Sequence, residues 1–430
     1  MCSRVCHWGP LVAIGIIVWV ALATVFSNTM WWPPQASWGG LANMISFLAL
    51  SGLTTFHFFC AMCDGPGYLP VNWHPENASE EEFLQYCDTC QGFKAARTHH
   101  CRKCGHCVMK MDHHCPWINN CVGHFNHGHF VGFLFFAVLG CAQATVTLSL
   151  TLYYGLNRTW YRYYGTGREP NVILTIWSLL IVMFALGLAI GVVLAVGALL
   201  YFQMRSIWRN QTGIEDWIIE KADYRRKDTK EKFQHPYNLG RLKNLRQVIT
   251  ATCLPYGDGI DWQLRDGAHK YDLTIEQLEQ KAEKRLRTRE YKIMRPYSGS
   301  WCPLWSQGFK VACHPPCTDE PRISLYKGDL VKVTRWKRHW LYGDKVPKEI
   351  NGRGDTRLPS QKLSCNDNQS KIPPGKEIRS RGWFPRKCAA ELVTEEEYYN
   401  HCEMKKNRQH KHKENPSTKS DTTLEAKKHQ

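Results

Sequence analysis

Apolar residues fill the first half of the chain in long unbroken runs, and polar residues dominate the second half. Residues 5–30, 39–63, 130–157 and 170–204 contain no Asp, Glu, Lys or Arg. A helix packed on a water-soluble core keeps a polar face, and these runs have none. A bilayer core about 30 Å thick takes about 20 residues of helix, so each run predicts a membrane span. Trp31 and Trp32 after the first run, and Trp160, Tyr161, Tyr163 and Tyr164 between the last two, are residues expected at a membrane–water interface. The first run can also be read as a signal peptide, since Arg4 precedes it and Ala21-Leu22-Ala23 looks like a cleavage site. Its uncharged length favours a span.

Beyond residue 205 the pattern becomes that of water-exposed segments. Residues 273–289 read as a charged helix, and 309–393 as short strand-like runs separated by turns, with a polar insertion at 347–380 expected to be disordered. The organisation expected is spans one and two (1–63), a Cys-rich segment (64–129) and spans three and four (130–204). A juxtamembrane segment (205–300), a small β domain (301–395) and a disordered basic tail (396–430) follow.

Composition changes this picture only once it is resolved by position. The 430 residues carry a formal charge of +17 and a mean hydropathy of −0.40, which on averages suggests a soluble nucleic-acid binder. However, 46 of the 55 Lys and Arg residues lie from Arg205 onward. A basic tail beside a membrane is explained by anionic lipids, so membrane lipids are the expected partner and nucleic acid is not. Basic residues close to span ends set orientation. The 28–38 loop has none, whereas the 64–129 loop has Lys94, Arg97, Arg102, Lys103 and Lys110, and Arg205 and Arg209 follow the last span. Both termini and the Cys-rich loop are therefore expected in the cytosol, where metal or thiol chemistry is a better reading of cysteines than disulfides. Asn157-Arg158-Thr159 is a glycosylation sequon on the other side, too close to the membrane for its use to be expected.

The candidate chemistry is concentrated between Cys87 and Cys121. That window holds Cys87, Cys90, Cys101, Cys104, Cys107, Cys115 and Cys121, together with His99, His100, His106, His113 and His114. Two thiolates spaced as CxxC can converge on one zinc ion, which takes four nitrogen or sulfur ligands. Two Cys3His sites use six cysteines and leave one over. The run Asp112-His113-His114-Cys115 points to Cys115 as the spare, because a histidine oriented by a carboxylate can hold a neighbouring thiol's proton. The alternative from spacing alone is that His113 and Cys115 are further zinc ligands, as in a RING-like binding module.

Asp-His-His-Cys in this setting, followed by Pro116-Trp117, Asn120-Cys121, Gly123, Asn126 and Phe130, resembles the Cys-rich domain of the DHHC protein S-acyltransferases. The resemblance covers roughly residues 1–250. It implies a polytopic α-helical membrane protein with four transmembrane helices and a two-zinc Cys-rich domain on the cytosolic side. One structural zinc would take Cys87, Cys90, His100 and Cys107, and the other Cys101, Cys104, His114 and Cys121. Cys115 would be the nucleophile, His113 its base and Asp112 the orienting acid. The implied activity is palmitoyl transfer from a long-chain acyl-CoA to cysteines of protein substrates through an acyl-enzyme.

Flanking motifs are altered. Asp64-Gly65-Pro66-Gly67-Tyr68 stands where the family has Asp-Pro-Gly, and Gln211-Thr212-Gly213-Ile214-Glu215 stands where it has Thr-Thr-x-Glu. Tyr237, Gly240 and Asn244 match its C-terminal motif. By this resemblance Thr212, Glu215 and Asn244 are assigned to the cofactor side of the site. A helix cap and a solvated charge are the plain alternative for Thr212 and Glu215. Gly187, Gly191, Ala195 and Gly197 on the fourth span could make room for an acyl chain, though close helix approach is the favoured expectation for them.

Lys327-Gly328-Asp329-Leu330-Val331-Lys332-Val333, Trp340-Leu341-Tyr342-Gly343 and Gly382-Trp383-Phe384-Pro385 resemble pieces of an all-β SH3-like barrel, a further surface for a protein partner. Cys388 stands in place of the usual ligand-binding tyrosine, so ordinary proline-rich ligands are not expected. Cys313, Cys317 and Cys388 are candidates for S-acylation themselves. Lys427-Lys428-His429-Gln430 resembles a retrieval signal for the endoplasmic reticulum, the membrane expected to hold the protein.

Overall fold

A computed structural model describes residues 2–229, 231–318, 320–346 and 380–392. Most of the polar insertion and the whole basic tail, including Lys427 and Lys428, lie outside the described residues. The chain divides into two compact units, residues 1–280 and 281–430.

In the first unit the four apolar runs are helices Trp8–Trp31, Trp38–Cys63, His127–Leu156 and Ile176–Trp208, each long and apolar enough to cross a membrane. Leu22, Phe56, Val146, Phe184 and Leu194 are exposed on them, as side chains facing lipid would be. With no apolar gain available from packing helices in lipid, association rests on close fit and polar glue. Asn43 of the second span bonds the Asn28 side chain of the first. Gln143 of the third donates to the Asn43 carbonyl and side-chain oxygens, both at 2.9 Å. Trp31 stacks on Trp32 and on Tyr154 at the end of this bundle remote from the cysteines.

The Cys-rich segment folds as three antiparallel hairpins: β1 (Gln85–Cys87) with β2 (Gly92–Lys94), β3 (His99–Cys101) with β4 (His106–Val108), and β5 (His113–Cys115) with β6 (Asn120–Val122). Strands this short have little stability of their own, so the hairpins depend on what their turns hold. Asn120 and Asn126 anchor them to the second span: the Asn120 amide donates to the Asp64 carbonyl at 2.9 Å, and the Asn126 amide to those of Ala61 and Cys121 at 3.0 and 2.9 Å. In the altered 64–68 motif, Gly67 adopts φ +90, a backbone that favours glycine. The Gly123 α-carbon passes so close to Pro66 that a Cβ would lie 2.4 Å from its carbonyl oxygen.

The second unit is built on one sheet of five antiparallel strands in the order β10-β9-β8-β7-β11. These are β7 (Arg289–Ile293), β8 (Leu330–Lys337), β9 (Trp340–Lys345), β10 (Arg381–Pro385) and β11 (Ala389–Glu391). Trp340, Tyr342, Phe384, Ile293, Val331 and Val333 form its core. All three strand-like motifs are strands, and among the described residues the sheet is open, with β10 and β11 at its two edges. β8 alternates buried and exposed residues at its start, whereas β9 and β10 bury consecutive residues, Trp340-Leu341-Tyr342 and Trp383-Phe384, on both faces. Cys388 is completely buried in this core, whereas Cys313 and Cys317 are exposed, so burial removes Cys388 from the thiols accessible to acylation.

Candidate active site and metal centres

The three hairpins repeat with a period of fourteen residues: Cys87, Cys101 and Cys115 end their first strands, and Cys107 and Cys121 are the middle residues of β4 and β6. In the first two repeats the first strand runs into a CxxC knuckle followed by a left-handed residue, Gln91 (φ 55) or Gly105 (φ 72). Each knuckle meets the histidine and cysteine of the next hairpin. The result is two separate groups, Cys87, Cys90, His100, Cys107 and Cys101, Cys104, His114, Cys121. These are the two sets expected from the sequence.

In the first group the three sulfurs lie 3.5, 3.4 and 3.8 Å from His100 Nδ1. In the second they lie 3.7, 3.4 and 3.7 Å from His114 Nδ1. Zinc–sulfur bonds of about 2.3 Å and zinc–nitrogen bonds of about 2.0–2.1 Å at tetrahedral angles give edges of about 3.5–3.8 Å. Both groups therefore fit a tetrahedral zinc ion.

The third repeat breaks the pattern. Where a second cysteine would complete its knuckle the chain has Ile118, fully buried, and among the described residues no fourth hairpin follows to supply a histidine and cysteine. Cys115 occupies a ligand position with no metal set to join. The fourteen-residue period is visible in the sequence and separates Cys115 from its six neighbours more sharply than counting does.

Cys115 is buried, 4% exposed, beside a polar pair. His113 Nδ1 lies 2.7 Å from Asp112 Oδ2, and the His113 ring packs edge-on against Phe130. Burial acts to lower the His113 pKa, but hydrogen bonds to Asp112 and to Cys115 outweigh it and raise it to about 9. Asp112 is also buried, which acts against its charge, yet the His113 contact holds it well below the usual carboxylate range. Two further donors fix this carboxylate: the Gln203 amide of the fourth span to Oδ2 at 2.9 Å, and the Gly213 N–H to Oδ1 at 2.6 Å. The second contact is main-chain, so glycine in place of the family's second threonine leaves it intact. Gln203 in turn is 3.0 Å from His127 Nε2. Sequence reading missed Gln203 and His127, because no local pattern links residues so far apart.

Thr212, Glu215 and Asn244 are all fully buried. Thr212 and Glu215 form a reciprocal capping box on helix Gly213–Arg225. Glu215 is not a solvated charge: both its oxygens receive the Arg97 guanidinium, at 2.7 and 2.8 Å. Arg97 also donates to Asn210 and lies over the rings of Tyr237 and Trp262 at 4.5 and 4.7 Å. Burial alone would raise the Glu215 pKa, and Arg97 brings it down to about 2. Asn244 accepts from the Leu239 N–H and donates to the Trp208 carbonyl, tying its short helix to the end of the fourth span.

Lys110 completes this layer, its ammonium 5.4 Å from the Trp262 ring centre. Burial, with Arg97 nearby, pushes its pKa down to about 7 against the opposing pull of Glu215 and Asp112. The unfolded chain keeps that proton up to about pH 10.4, so this group makes stability rise with pH from about 7 toward 10. Lys110→Met should flatten that rise in melting temperature, measured between pH 7 and 9.

A cavity of about 430 Å³ opens beside Cys115 among the spans. Phe130, Leu134 and Val20 are among its walls, and so are Gly187, Gly191 and Ala195. A Cβ at Gly187 or Gly191 would meet nothing within 4 Å, so these glycines leave space rather than admit a neighbouring helix. The favoured expectation of close helix approach is corrected there. Gly197 is outside the cavity and faces Val138.

The profile of the DHHC palmitoyltransferase family matches residues 80–220, the stretch that holds the hairpins, spans three and four, and the Thr212–Glu215 cap. Palmitoyltransferase ZDHHC6 of Homo sapiens is 42% identical over 399 residues, 90% of this chain and 91% of the relative. The protein of the same name from Danio rerio is 40% identical over 91% of this chain and 92% of its own length. A probable protein S-acyltransferase 16 of Arabidopsis thaliana is 30% identical over 57% of this chain and 86% of its own. A zinc module borrowed by an unrelated scaffold would align over the hairpins alone. Alignment from the spans through the second unit instead means that the chain belongs to the DHHC palmitoyltransferase family and acts as a protein S-palmitoyltransferase.

Proposed function

We propose that Cys115 carries palmitoyl transfer as a covalent acyl carrier, with long-chain acyl-CoA as donor and cysteines of cytosolic protein segments as acceptors. The observation that supports this most directly is the position of Cys115, outside both ligand sets, next to the His113–Asp112 pair and at the wall of the apolar cavity. His113 holds the thiol's proton and leaves a thiolate, and Asp112 fixes the ring tautomer. The sulfur attacks the thioester carbonyl, the carbon–sulfur bond to CoA breaks, and the CoA thiolate leaves with the proton from His113. A substrate thiol, deprotonated in turn, attacks the acyl-Cys115 thioester and releases Cys115. One thioester replaces another at each step, so positioning and thiolate supply set the rate.

The two zinc ions are structural in this reading: their four ligands each fill a tetrahedral shell and leave no open position. Thr212, Glu215 and Asn244 act as positioning residues, since each is occupied by main chain or by Arg97, and contribute to acyl-CoA binding through the frame they hold. Exposing a palmitoyl chain to water costs about 12 kcal/mol at about 0.8 kcal/mol per CH2, so the chain belongs in the cavity between the spans. Gly191→Phe, which fills that space, should shift preference toward shorter acyl-CoAs in competition assays.

The charge pattern supports cytosolic termini, and the terminal lysines support residence in the endoplasmic reticulum. The order of short strands in the second unit supports an SH3-like module and a protein partner there. Its Trp383 and Tyr342 are buried, so an aromatic groove for proline-rich peptides is not the mode of contact. The deciding experiment for the acyl carrier is intact-mass spectrometry after mixing with palmitoyl-CoA. One hydroxylamine-labile palmitoyl adduct mapping to Cys115 is expected, and an adduct mapping elsewhere would sink the proposal.

A further inference from the structure

A further cluster of metal-ligating side chains, apart from the two Cys3His groups, lies where the second and third spans meet the segment that follows the fourth. His57, Cys60 and Asp64 are spaced i, i+3 and i+7 along the second span and its C-terminal cap, so they share one face. His129 opposes them from the first turn of the third span, its Nδ1 3.2 Å from His57 Nδ1. Both histidines are buried. Cys253 reaches the same pair from a left-handed turn, φ 56. The ligand atoms of His57, His129 and Cys253 all lie within 4.8 Å of one another, and so do those of Cys60, Asp64 and His129.

Two features show that the surroundings are shaped to this cluster. A Cβ at Gly132 would lie 2.6 Å from His57 Nδ1, and one at Gly128 would lie 2.8 Å from the Cys253 carbonyl oxygen. These glycines, one turn apart on the third span, make the space into which the imidazole and the Cys253 turn fit. Phe136 stacks on the His57 ring at 5.3 Å and fixes its plane.

Two imidazole nitrogens this close either share one proton or direct two lone pairs at one cation. Nitrogens 2.0–2.1 Å from a tetrahedral zinc ion stand about 3.3 Å apart. A thiol drawn to the same pair adds little to a proton shared between two rings, but it supplies the third ligand of a zinc site. We propose that His57, His129 and Cys253 bind a third zinc ion, distinct from the two Cys3His sets, with Cys60 and Asp64 beside His129 as candidates for its fourth position. The ion would clamp the segment around residue 253 to the second and third spans.

The test is the zinc content, by plasma mass spectrometry, of the full-length protein in lipid nanodiscs after dialysis against zinc-buffered solution. One ion fewer per chain is expected in Cys253→Ser and in His57→Gln than in wild type. Cobalt loading should give thiolate-to-cobalt absorption that weakens in Cys253→Ser. Cys253→Ser changes one atom on a half-buried turn, so it remains informative if His57→Gln fails to fold. Equal metal content and equal cobalt spectra in wild type and Cys253→Ser would overturn the proposal. The readout is a difference of one ion, so it does not depend on the role of Cys115 or on full loading of the other two sites.

Discussion

Cys115→Ser is expected to abolish palmitoyl transfer, by about 10³-fold or more, while the zinc content stays at the wild-type value. Serine keeps the shape and the hydrogen bond to His113, but its hydroxyl does not ionise near neutral pH, so the attacking anion is lost. The metal should stay because Cys115 belongs to neither ligand set. The paired measurements are acyl transfer to a peptide thiol and zinc per chain. Loss of an ion in Cys115→Ser would mean that the third repeat binds metal after all, and transfer at the wild-type rate would remove Cys115 from the chemistry. A change at Cys104, which is within a set, should behave oppositely and release zinc together with activity.

Arg97→Ala is expected to lower stability by about 3–5 kcal/mol, the cost of leaving one partner of a buried ion pair uncompensated. Both side chains are fully inaccessible, and Glu215 would keep its charge with the Thr212 N–H and, at 4.0 Å, His235 Nε2 to meet it. The stacking against Tyr237 and Trp262 would go as well, so Arg97→Lys should not rescue the loss. Pairing Arg97→Met with Glu215→Gln removes both charges and should recover part of the stability. Thermal unfolding in detergent measures all three. Activity should fall with stability, because helix Gly213–Arg225, which Glu215 caps, carries the N–H that holds Asp112. A melting temperature for Arg97→Ala equal to wild type would show that this layer does not hold the site.

How much of this was legible beforehand differs by element. The four spans could be placed within a few residues, since a helix in lipid announces itself by the length of an uncharged run. The eight cysteine and histidine side chains that the structure gathers into two groups were named beforehand by the family resemblance, and each group draws on adjacent hairpins. Long-range polar partners were not legible. Nothing around Arg97 distinguishes it from an ordinary surface arginine used for membrane orientation, yet its guanidinium donates to Glu215 and Asn210 and lies over two aromatic rings. Gln203 sat within an apolar run and His127 at the end of the Cys-rich segment, with no visible partner. In the second unit three strands were readable from alternation and turns, but β7 (Arg289–Ile293) lies ahead of the expected β domain and was missed, and whether the sheet closes depends on how its edge strands meet, which no local pattern encodes.

The sequence by itself marked four runs long and apolar enough to cross a membrane, a cluster of seven cysteines with enough ligands for two Cys3His sets and one to spare, and a basic charge that belongs to the second half. Each of these follows from local rules, either the hydrophobic length of a helix or the reach of ligands a few residues apart. Only the tertiary structure decided that Gly187 and Gly191 open a cavity beside Cys115, that Asp112 is held from the fourth span and the helix after it, and that His57, His129 and Cys253 meet. Those contacts join residues about 70 to 200 positions apart, and they form because buried polar groups must find partners wherever packing brings the chain together.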